Sequence, residues 1–229
     1  AIAAYTFTKV TATHTIDATF AANPTVPAIT HLTAAQQRNG NPAGATTNIT
    51  LSWDATANTV EVWRAGFGHY PEYSDDGGSV PTAPTTYPPG LGWAKTDVTA
   101  PGGVDHVTTR DYYYFVAYQQ DGFGTWSLAS TMTNGTLNYH LGDVSNGSTL
   151  GVGNNLVLTE DVSALGQHYG IAGAAVAVFA FLDVGPTTTM FTDGLPTTDN
   201  LIGFEDLVMC GINFGAVSAP ALSSTPART

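Results

Sequence analysis

The chain has 229 residues, with 18 Asp or Glu against 6 Lys or Arg, and a formal net charge of −12 at pH 7. This acidic balance excludes nucleic acid as a partner, because no basic surface is present to replace the counterions of a phosphate backbone. The single cysteine, Cys210, excludes an internal disulfide framework. The longest apolar run, residues 171–182, is too short for a membrane-spanning helix, which needs about 20 residues.

Residues 1–24 contain a strand-like segment. Apolar side chains alternate with threonines, so that Val10, Ile16 and Phe20 fall on one face. Such a segment folds back on its own domain, stays disordered, or pairs with the exposed edge of another chain. Leaving its apolar face in water is costly, which argues against disorder. We favour pairing of residues 4–20 with a neighbouring subunit, since head-to-tail contacts of this kind build open filaments.

Residues 25–137 are predicted to form an all-β sandwich, because short runs rich in β-branched and aromatic residues are separated by turn residues. The predicted strands are 29–33, 47–53, 59–64, 112–119 and 126–133. Between the third and fourth of them lies a long stretch rich in Pro, Gly and Tyr, residues 66–92. Loops of this length without structure of their own are uncommon in compact domains and are often functional.

Several runs in this region resemble a fibronectin type III domain. The run NITLSWD at 48–54 resembles the second strand with the core tryptophan, and VEVWR at 60–64 resembles the third. The run DYYYFVAY at 111–118, followed by a turn at 121–127, resembles the tyrosine-bearing strand and the turn into the last strand. The resemblance implies a β-sandwich with Trp53 and Tyr114 in its core.

Residues 138–216 contain an internal repeat. The run NNLVLTEDV at 154–162 matches DNLIGFEDL at 199–207, and the match extends to the aromatic-glycine pairs at 169–170 and 214–215, with a constant offset of 45 residues. A repeat indicates a structural unit that is built twice. Each copy has an oxygen-rich turn, an aliphatic residue, an Asp four residues later and an apolar stretch of helical length. That order is typical of one half of a calcium-binding loop-helix.

Calcium takes about six to eight oxygen ligands, carboxylates among them. The predicted ligands are Asp143, Ser145, Asn154 and Asp161 in the first copy and Asp183, Asp199 and Asp206 in the second. Asn155 and Asn200 stand at the turns, where asparagine tolerates a left-handed backbone. The alternative is that the aspartates cap helices. Capping accounts for the Asp that opens each helix, but not for the Asp that starts each loop.

The duplicated unit resembles a type I dockerin, which has two calcium-binding loop-helix units. Residues 142–145, GDVS, resemble the start of one loop and residues 154–161 resemble its end. Insertions at 146–153 and 184–198 separate the two ends of each loop. The resemblance implies bound calcium and a cohesin-like partner protein. Residues 217–229, which are rich in Pro, Ser and Thr, are expected to form an extended tail.

No catalytic arrangement is apparent in the sequence. The six histidines are scattered without metal-ligand spacing, and neither a Gly-x-Ser-x-Gly elbow nor a His-Glu-x-x-His pair occurs. The aromatic residues of the long loop, Tyr70, Tyr73 and Tyr87, together with Trp93, could stack on a sugar or pack the loop onto the sandwich. We favour packing and keep carbohydrate as a possible partner.

The sequence thus predicts a mainly β, non-enzymatic protein of the extracellular space or cell surface. Its fibronectin type III-like sandwich at 25–137 is followed by a small α/loop dockerin-like calcium module at 138–216. The predicted function is that of a calcium-stabilised subunit of a surface filament or sheath, a homopolymer assembled by strand addition. The alternative is a dockerin-type anchoring module of a secreted carbohydrate-active complex.

Overall fold

The computed structural model describes residues 11–13, 25–75 and 77–219. The predicted intersubunit strand at 4–20 lies outside the described residues, apart from 11–13, and so does the predicted tail beyond Ala219.

The described residues form two antiparallel sheets. Their strands are β1 (Thr33–Gln36), β2 (Ile49–Ser52), β3 (Thr59–Gly66), β4 (Ala94–Lys95), β5 (Val104–Asp105), β6 (Tyr112–Gln120) and β7 (Thr136–Leu137). One sheet has the order β1-β2-β5 and the other β4-β3-β6-β7. The prediction of a mainly β fold is therefore confirmed. The relationship to fibronectin type III domains stays a prediction.

The two sheets enclose an apolar core. Side chains alternate along each strand, so that Leu51 of β2, Val62 of β3 and Phe115 of β6 are fully buried between the sheets. Trp53 follows β2 and is buried in the same cluster, as predicted. The prediction for Tyr114 is wrong in one respect. Its side chain is buried, but in a different cluster, because the alternation of β6 directs Phe115 into the core between the sheets.

The outer face of β6 is covered by a second apolar cluster. Its buried members are Tyr73, Tyr112, Tyr114, Leu137, Tyr139, Leu141, Val184 and Met209. In it Tyr70, from the long loop, meets Tyr139 edge-to-face at 5.1 Å between ring centroids. Further along the loop, Tyr87 stacks on Trp126 at 3.8 Å. The loop aromatics therefore pack onto the sandwich, which was the favoured alternative to a sugar platform.

The predicted strand at 126–133 is not a regular ladder. Ser127 donates its N–H to the carbonyl of Gln119, and its hydroxyl accepts the N–H of the same residue. Ser130 and Thr133 repeat this double bond, with Ala117 and Phe115 as their respective partners on β6. Three residues of this segment thus span two residues of β6, and a Ser or Thr hydroxyl at every third position takes the place of a backbone carbonyl.

Residues 138–219 fold around a further core. Its helices are α1 (Thr159–His168) and α2 (Phe204–Asn213), with 3₁₀ helices at Gly173–Val178 and Ala180–Leu182 between them. Leu165, Ile202 and Cys210 are buried in this core, as is Val217, the first residue of the predicted tail. Over the described parts of the chain, none of the helices has both the length and the apolar character needed to cross a membrane.

Candidate functional site

The two copies of the repeat have closely similar backbones. α1 and α2 both have 10 residues and begin at equivalent positions of the repeat. Asn155 (φ 65°) and Asn200 (φ 62°) both have the left-handed backbone predicted for the turn. Gly170 (φ 85°) and Gly215 (φ 64°) have it after the helices, where a residue without a side chain is free of steric cost. The sequence repeat is therefore a structural repeat.

Each copy also donates a backbone hydrogen bond to the other. Gly170, after α1, donates its N–H to the carbonyl of Ile202 at 2.8 Å, and Gly215, after α2, donates to the carbonyl of Val157 at 3.0 Å. These two bonds join equivalent positions in opposite directions. The copies are thus related by an approximate twofold axis, and neither completes its backbone hydrogen bonding without the other.

The aspartate near the start of each helix connects two parts of its copy. Asp161 accepts the N–H groups of Val144 and Ser145 at 2.9 Å and that of Leu158 at 2.8 Å. Asp206 makes the equivalent three bonds, with Val184, Gly185 and Gly203. Each carboxylate caps its helix and also holds the beginning of its loop. The capping alternative is therefore realised for these two residues.

The aspartate that starts each loop holds the end of that loop. Asp143 accepts the N–H groups of Asn154 at 2.8 Å and Asn155 at 3.0 Å. Asp183 accepts the equivalent bonds at 3.4 and 2.9 Å, from Asp199 and Asn200. The inserted residues, 146–153 and 184–198, lie between the two loop ends that these bonds join. Both loops therefore keep the same closed base although their insertions differ in length.

The two loops differ in their nearest cation. Arg110, the residue that precedes Asp111 and β6, is buried and donates to the Asp143 carboxylate at 3.0 Å and to its carbonyl at 2.8 Å. Among the described residues, no Lys or Arg is ion-paired with Asp183 or Asp206. The first loop therefore has a guanidinium beside its starting carboxylate, and the second has none.

Burial and neighbouring charge shift these carboxyl groups. Burial raises the pKa of Asp183 to about 7, and the charge of Asp206 adds to the shift. Burial also raises the pKa of Asp206 to about 6, against three backbone N–H groups that lower it. In the first copy burial raises the pKa of Asp143, and the charge of Arg110 opposes the shift. In the second copy, therefore, two neighbouring carboxyl groups are buried without an ion-paired cation among the described residues.

The predicted calcium ligands lie near one another in each copy, but most of their oxygens already accept N–H groups. Ser145 Oγ accepts the N–H of Gly147, Asn154 Oδ1 that of Leu156, and Asp199 Oδ1 that of Leu201. Within the described ranges, no three His, Cys, Asp or Glu side chains form a group that could hold a metal. A calcium ion would therefore also need side-chain amide, hydroxyl, carbonyl or water oxygens, and calcium at either loop stays a prediction.

Buried polar contacts join the duplicated unit to the sandwich. Arg110 also donates to the carbonyl of Ala45 at 2.7 Å and lies 4.9 Å from the ring centre of Tyr139. The side-chain amide of Asn155 donates to the carbonyls of Pro42 and Thr46 at 2.6 and 2.8 Å. A lone Arg before a strand offers no sequence pattern that would reveal this role. Sequence reasoning therefore missed Arg110, whose guanidinium bonds to both Ala45 and Asp143 at the junction.

The outer faces of the two helices differ in polarity. On α2 the side chains of Phe204, Val208 and Ile212 are spaced by four residues and are 66%, 39% and 50% exposed. The equivalent positions of α1 are also exposed and carry Thr159, Ser163 and Gln167. Residues i, i+4 and i+8 lie on one side of a helix. The second copy therefore presents an apolar stripe, defined here as residues 204, 208 and 212, where the first copy is polar.

No protein-family model matches the chain, and no curated protein and no solved structure shows a significant match to it.

Proposed function

We propose that this protein is a non-enzymatic structural or interaction component of an extracellular assembly, built from a fibronectin type III-like sandwich and a dockerin-like duplicated module. The observation that supports this most is the junction between the two parts. Arg110 and Asn155 fill it with buried hydrogen bonds, and buried polar groups of this kind fix one arrangement because any other leaves them unpaired. The duplicated unit is then held at a fixed angle, as an assembly component requires.

We further propose that calcium stabilises the duplicated unit, and that the second loop is its stronger site. Asp183 and Asp199 would supply carboxylate oxygens there, since each accepts fewer N–H groups than a carboxylate can. In the second loop, bound calcium would neutralise the carboxylate of Asp183, as Arg110 neutralises that of Asp143 in the first loop. The first-loop set of Asp143, Ser145, Asn154 and Asp161 is the weaker proposal for the same reason.

The calcium proposal is tested by thermal unfolding of the full chain in calcium and in chelator. An ion that binds only the folded state raises the unfolding free energy by about 2.7 kcal/mol at a hundredfold excess over its Kd. Asp199→Ala, which removes a proposed ligand at an exposed position, should remove most of the difference between the two conditions. The matched control is Asp97→Ala, in an exposed position of the sandwich, which should keep it. Identical unfolding curves for the unmodified chain in both conditions would refute calcium binding.

Assembly into a homopolymer by strand addition is proposed through residues 4–20 of a neighbouring copy. What supports it is an open sheet edge: β1 is the end strand of its sheet, and a groove runs between residues 32–34 and the segment 131–135. Deleting residues 1–22 should abolish polymers seen by light scattering and electron microscopy. If the shortened chain assembles like the full one, the strand belongs to its own fold.

The second candidate function is dockerin-type anchoring to a cohesin-like protein in a secreted carbohydrate-active complex. The apolar stripe on α2 favours it, because exposed apolar side chains grouped on one surface mark interaction sites. A purified chain that stays monomeric in calcium and binds a second protein would favour anchoring over self-assembly.

A further inference from the structure

A buried threonine and a buried asparagine meet in the sandwich, next to its junction with the duplicated unit. Thr47 and Asn41 both have 0% of their surface exposed, and the hydroxyl oxygen of Thr47 lies against Oδ1 of Asn41. The same hydroxyl donates to the carbonyl of Gln37 at 2.6 Å. A hydroxyl group has one proton to donate, so only one of these two contacts is a hydrogen bond. The other places two oxygens together as a hydroxyl that approaches a carbonyl group to react places them.

The amide of Asn41 is held in one orientation by its other partners. Its Nδ2 atom donates to the carbonyl of Gln37 at 2.8 Å and lies 3.2 Å from Nε2 of the fully buried His140. Its Oδ1 atom accepts the backbone N–H of Asn48 at 3.4 Å. The amide carbon is therefore beside the Thr47 hydroxyl, with an N–H group facing its oxygen and an imidazole facing its nitrogen.

The imidazole of His140 has a defined tautomer. Gln36 donates its Nε2 to the carbonyls of Leu137 and Tyr139 at 3.2 and 2.6 Å, and its Oε1 lies 3.2 Å from Nδ1 of His140. Because Oε1 only accepts hydrogen bonds, Nδ1 carries the imidazole proton and Nε2 has the free lone pair. The basic nitrogen of the ring is thus the one that contacts the amide of Asn41.

A hydroxyl, a carbonyl carbon, a donor to its oxygen and a base at its nitrogen are the groups that acyl transfer requires. We propose that Thr47 and Asn41 are joined by an intramolecular ester. Oγ1 of Thr47 bonds to Cγ of Asn41, and the bond between Cγ and Nδ2 breaks. The hydroxyl proton passes to Nδ2 by way of His140, and the nitrogen leaves as ammonia. Burial of all three side chains excludes water and so protects the ester from hydrolysis.

The ester closes the loop on which the duplicated unit is docked. Within this loop the carbonyls of Pro42 and Thr46 accept the side-chain amide of Asn155. The carbonyl of Ala45, also in the loop, accepts the guanidinium of Arg110. A covalent link across the base of a loop reduces the conformations that the loop can adopt. The link therefore fixes the acceptors of the junction, and it involves neither the calcium ligands nor residues 4–20.

Mass spectrometry of the full chain after tryptic digestion tests the ester directly. Trypsin cleaves after Arg38 and Arg64, so both linked side chains fall in one peptide, residues 39–64. We expect this peptide from the unmodified chain to be lighter than its sequence by the mass of one ammonia. Its fragment spectrum should lack cleavages between residues 41 and 47, because the ester holds the two pieces together. Mild alkali should hydrolyse the ester and add the mass of one water.

Two substitutions locate the lost ammonia. Thr47→Val keeps the branched shape of the buried side chain without its hydroxyl and should restore the full mass. Asn39→Gln is the matched control, because Asn39 is exposed and precedes Gly40, whose N–H can attack the asparagine side chain with the same loss of ammonia. Asn41 precedes Pro42, which has no N–H for that reaction. The Asn39→Gln variant should therefore keep the loss of ammonia.

A full-mass peptide from the unmodified chain would overturn the proposal, and this reading requires no variant to fold. A loss of ammonia that persists in Thr47→Val, or that disappears in Asn39→Gln, would overturn it as well. His140→Gln keeps a polar side chain at the site but removes the imidazole, and most of its peptide should stay at full mass. Complete loss of ammonia in this variant would overturn the role of His140 in the proton transfer.

Discussion

The two copies of the repeat have closely similar backbones but different surroundings. Both have the Asp that caps the helix, the Asn with a left-handed backbone and the Gly that ends the helix. The first copy faces the sandwich, and its Asp143 and Asn155 bond to residues there. The second copy contacts the sandwich through other residues: Arg38 donates to the side chains of Thr192 and Asn213 at 2.6 and 2.9 Å, and Val184 and Met209 pack in the apolar cluster on β6. Its Asn200 side chain is bonded to the exposed Asp75 of the long loop.

This difference shows that two kinds of constraint act on the residues of a repeated unit. Residues that determine the backbone conformation stay the same, because left-handed turns and helix caps accept few residue types. Residues on the surface follow the neighbour that each copy has acquired. The sandwich places Arg110 beside the Asp143 carboxylate of the first copy, whereas in the second copy Arg38 bonds to the neutral side chains of Thr192 and Asn213. Divergence between the copies is therefore concentrated where each meets something outside the repeat.

The largest effect should come from breaking the first copy's contact with Arg110. Arg110→Met leaves the Asp143 carboxylate buried without its cation, and removing one partner of a buried pair typically costs about 3–5 kcal/mol. Urea unfolding of the full chain measures it. The control is Lys95→Met, which breaks an exposed pair with Glu61 and should cost less than about 1 kcal/mol. Similar losses in both variants would mean that Arg110 does not hold the junction.

A smaller effect should separate Asn155 from Asn200. Substitution by Gly keeps the left-handed backbone available, so it reports on the side-chain contacts alone. Asn155→Gly leaves the half-buried carbonyl of Pro42 and the buried carbonyl of Thr46 without this donor, at a cost of about 1–3 kcal/mol. Asn200→Gly loses only a contact with the exposed Asp75 and should stay within about 0.5 kcal/mol. Equal effects in urea unfolding would contradict the difference in surroundings.

The stability of the metal-free protein should depend on pH through buried carboxyl groups of both copies, because burial also raises the pKa of Asp143 to about 6, and Asp183 of the second copy should contribute most. The folded-state pKa of Asp183 is raised to about 7 and that of Asp206 to about 6, against about 3.9 for an unfolded Asp. Between these pKa values the folded chain binds more protons than the unfolded chain. The contribution of these groups to the free energy of unfolding is therefore largest below about pH 4 and is lost as the pH rises through about 6 to 7.

In chelator, the unfolding temperature should therefore fall between pH 5 and pH 8, by about 2–4 °C for each kcal/mol of stability lost. The variant Asp183→Asn, which cannot ionise, should flatten the curve. Added calcium should reverse the trend if it binds, because it requires the ionised carboxylates. A flat curve for the unmodified chain in chelator would mean that these two carboxyl groups titrate normally.

The sequence predicted the features that depend on local patterns. Alternation located β2, β3 and β6, and the repeat located both helices and the left-handed Asn155 and Asn200. Local patterns did not predict the features that depend on residues distant in the chain. Tyr114 lies on the outer face of β6 and is nevertheless buried, because the long loop and the duplicated unit cover that face. The segment 126–133 departs from a ladder because the hydroxyl groups of Ser and Thr replace backbone carbonyls, which no two-residue period indicates.

The candidate site shows the same limit. Its aspartates were identified from the repeat, but their spacing is the same whether the oxygens face a calcium ion or backbone N–H groups. Arg110 is 33 residues from Asp143 in the chain, and only the fold brings them together. The polar and apolar faces of the helices could be read from the aligned copies. Their exposure could not, because it depends on which side of each helix the second core covers.

The smallest effect should show that the two backbones respond alike. Gly166 in α1 and Gly211 in α2 occupy equivalent helical positions with open space where a side chain would begin. Replacing a helix-interior Gly by Ala typically stabilises by about 0.5–1 kcal/mol. We expect Gly166→Ala and Gly211→Ala to raise stability in urea unfolding by equal amounts, and the double variant by their sum, since the sites share no partner. Gly215 provides the contrast, because its left-handed backbone (φ 64°) makes Gly215→Ala destabilising. A gain at Gly166 with a loss at Gly211 would mean that α2 is packed against something that α1 lacks, and that the equivalence of the two copies ends at the helix surface.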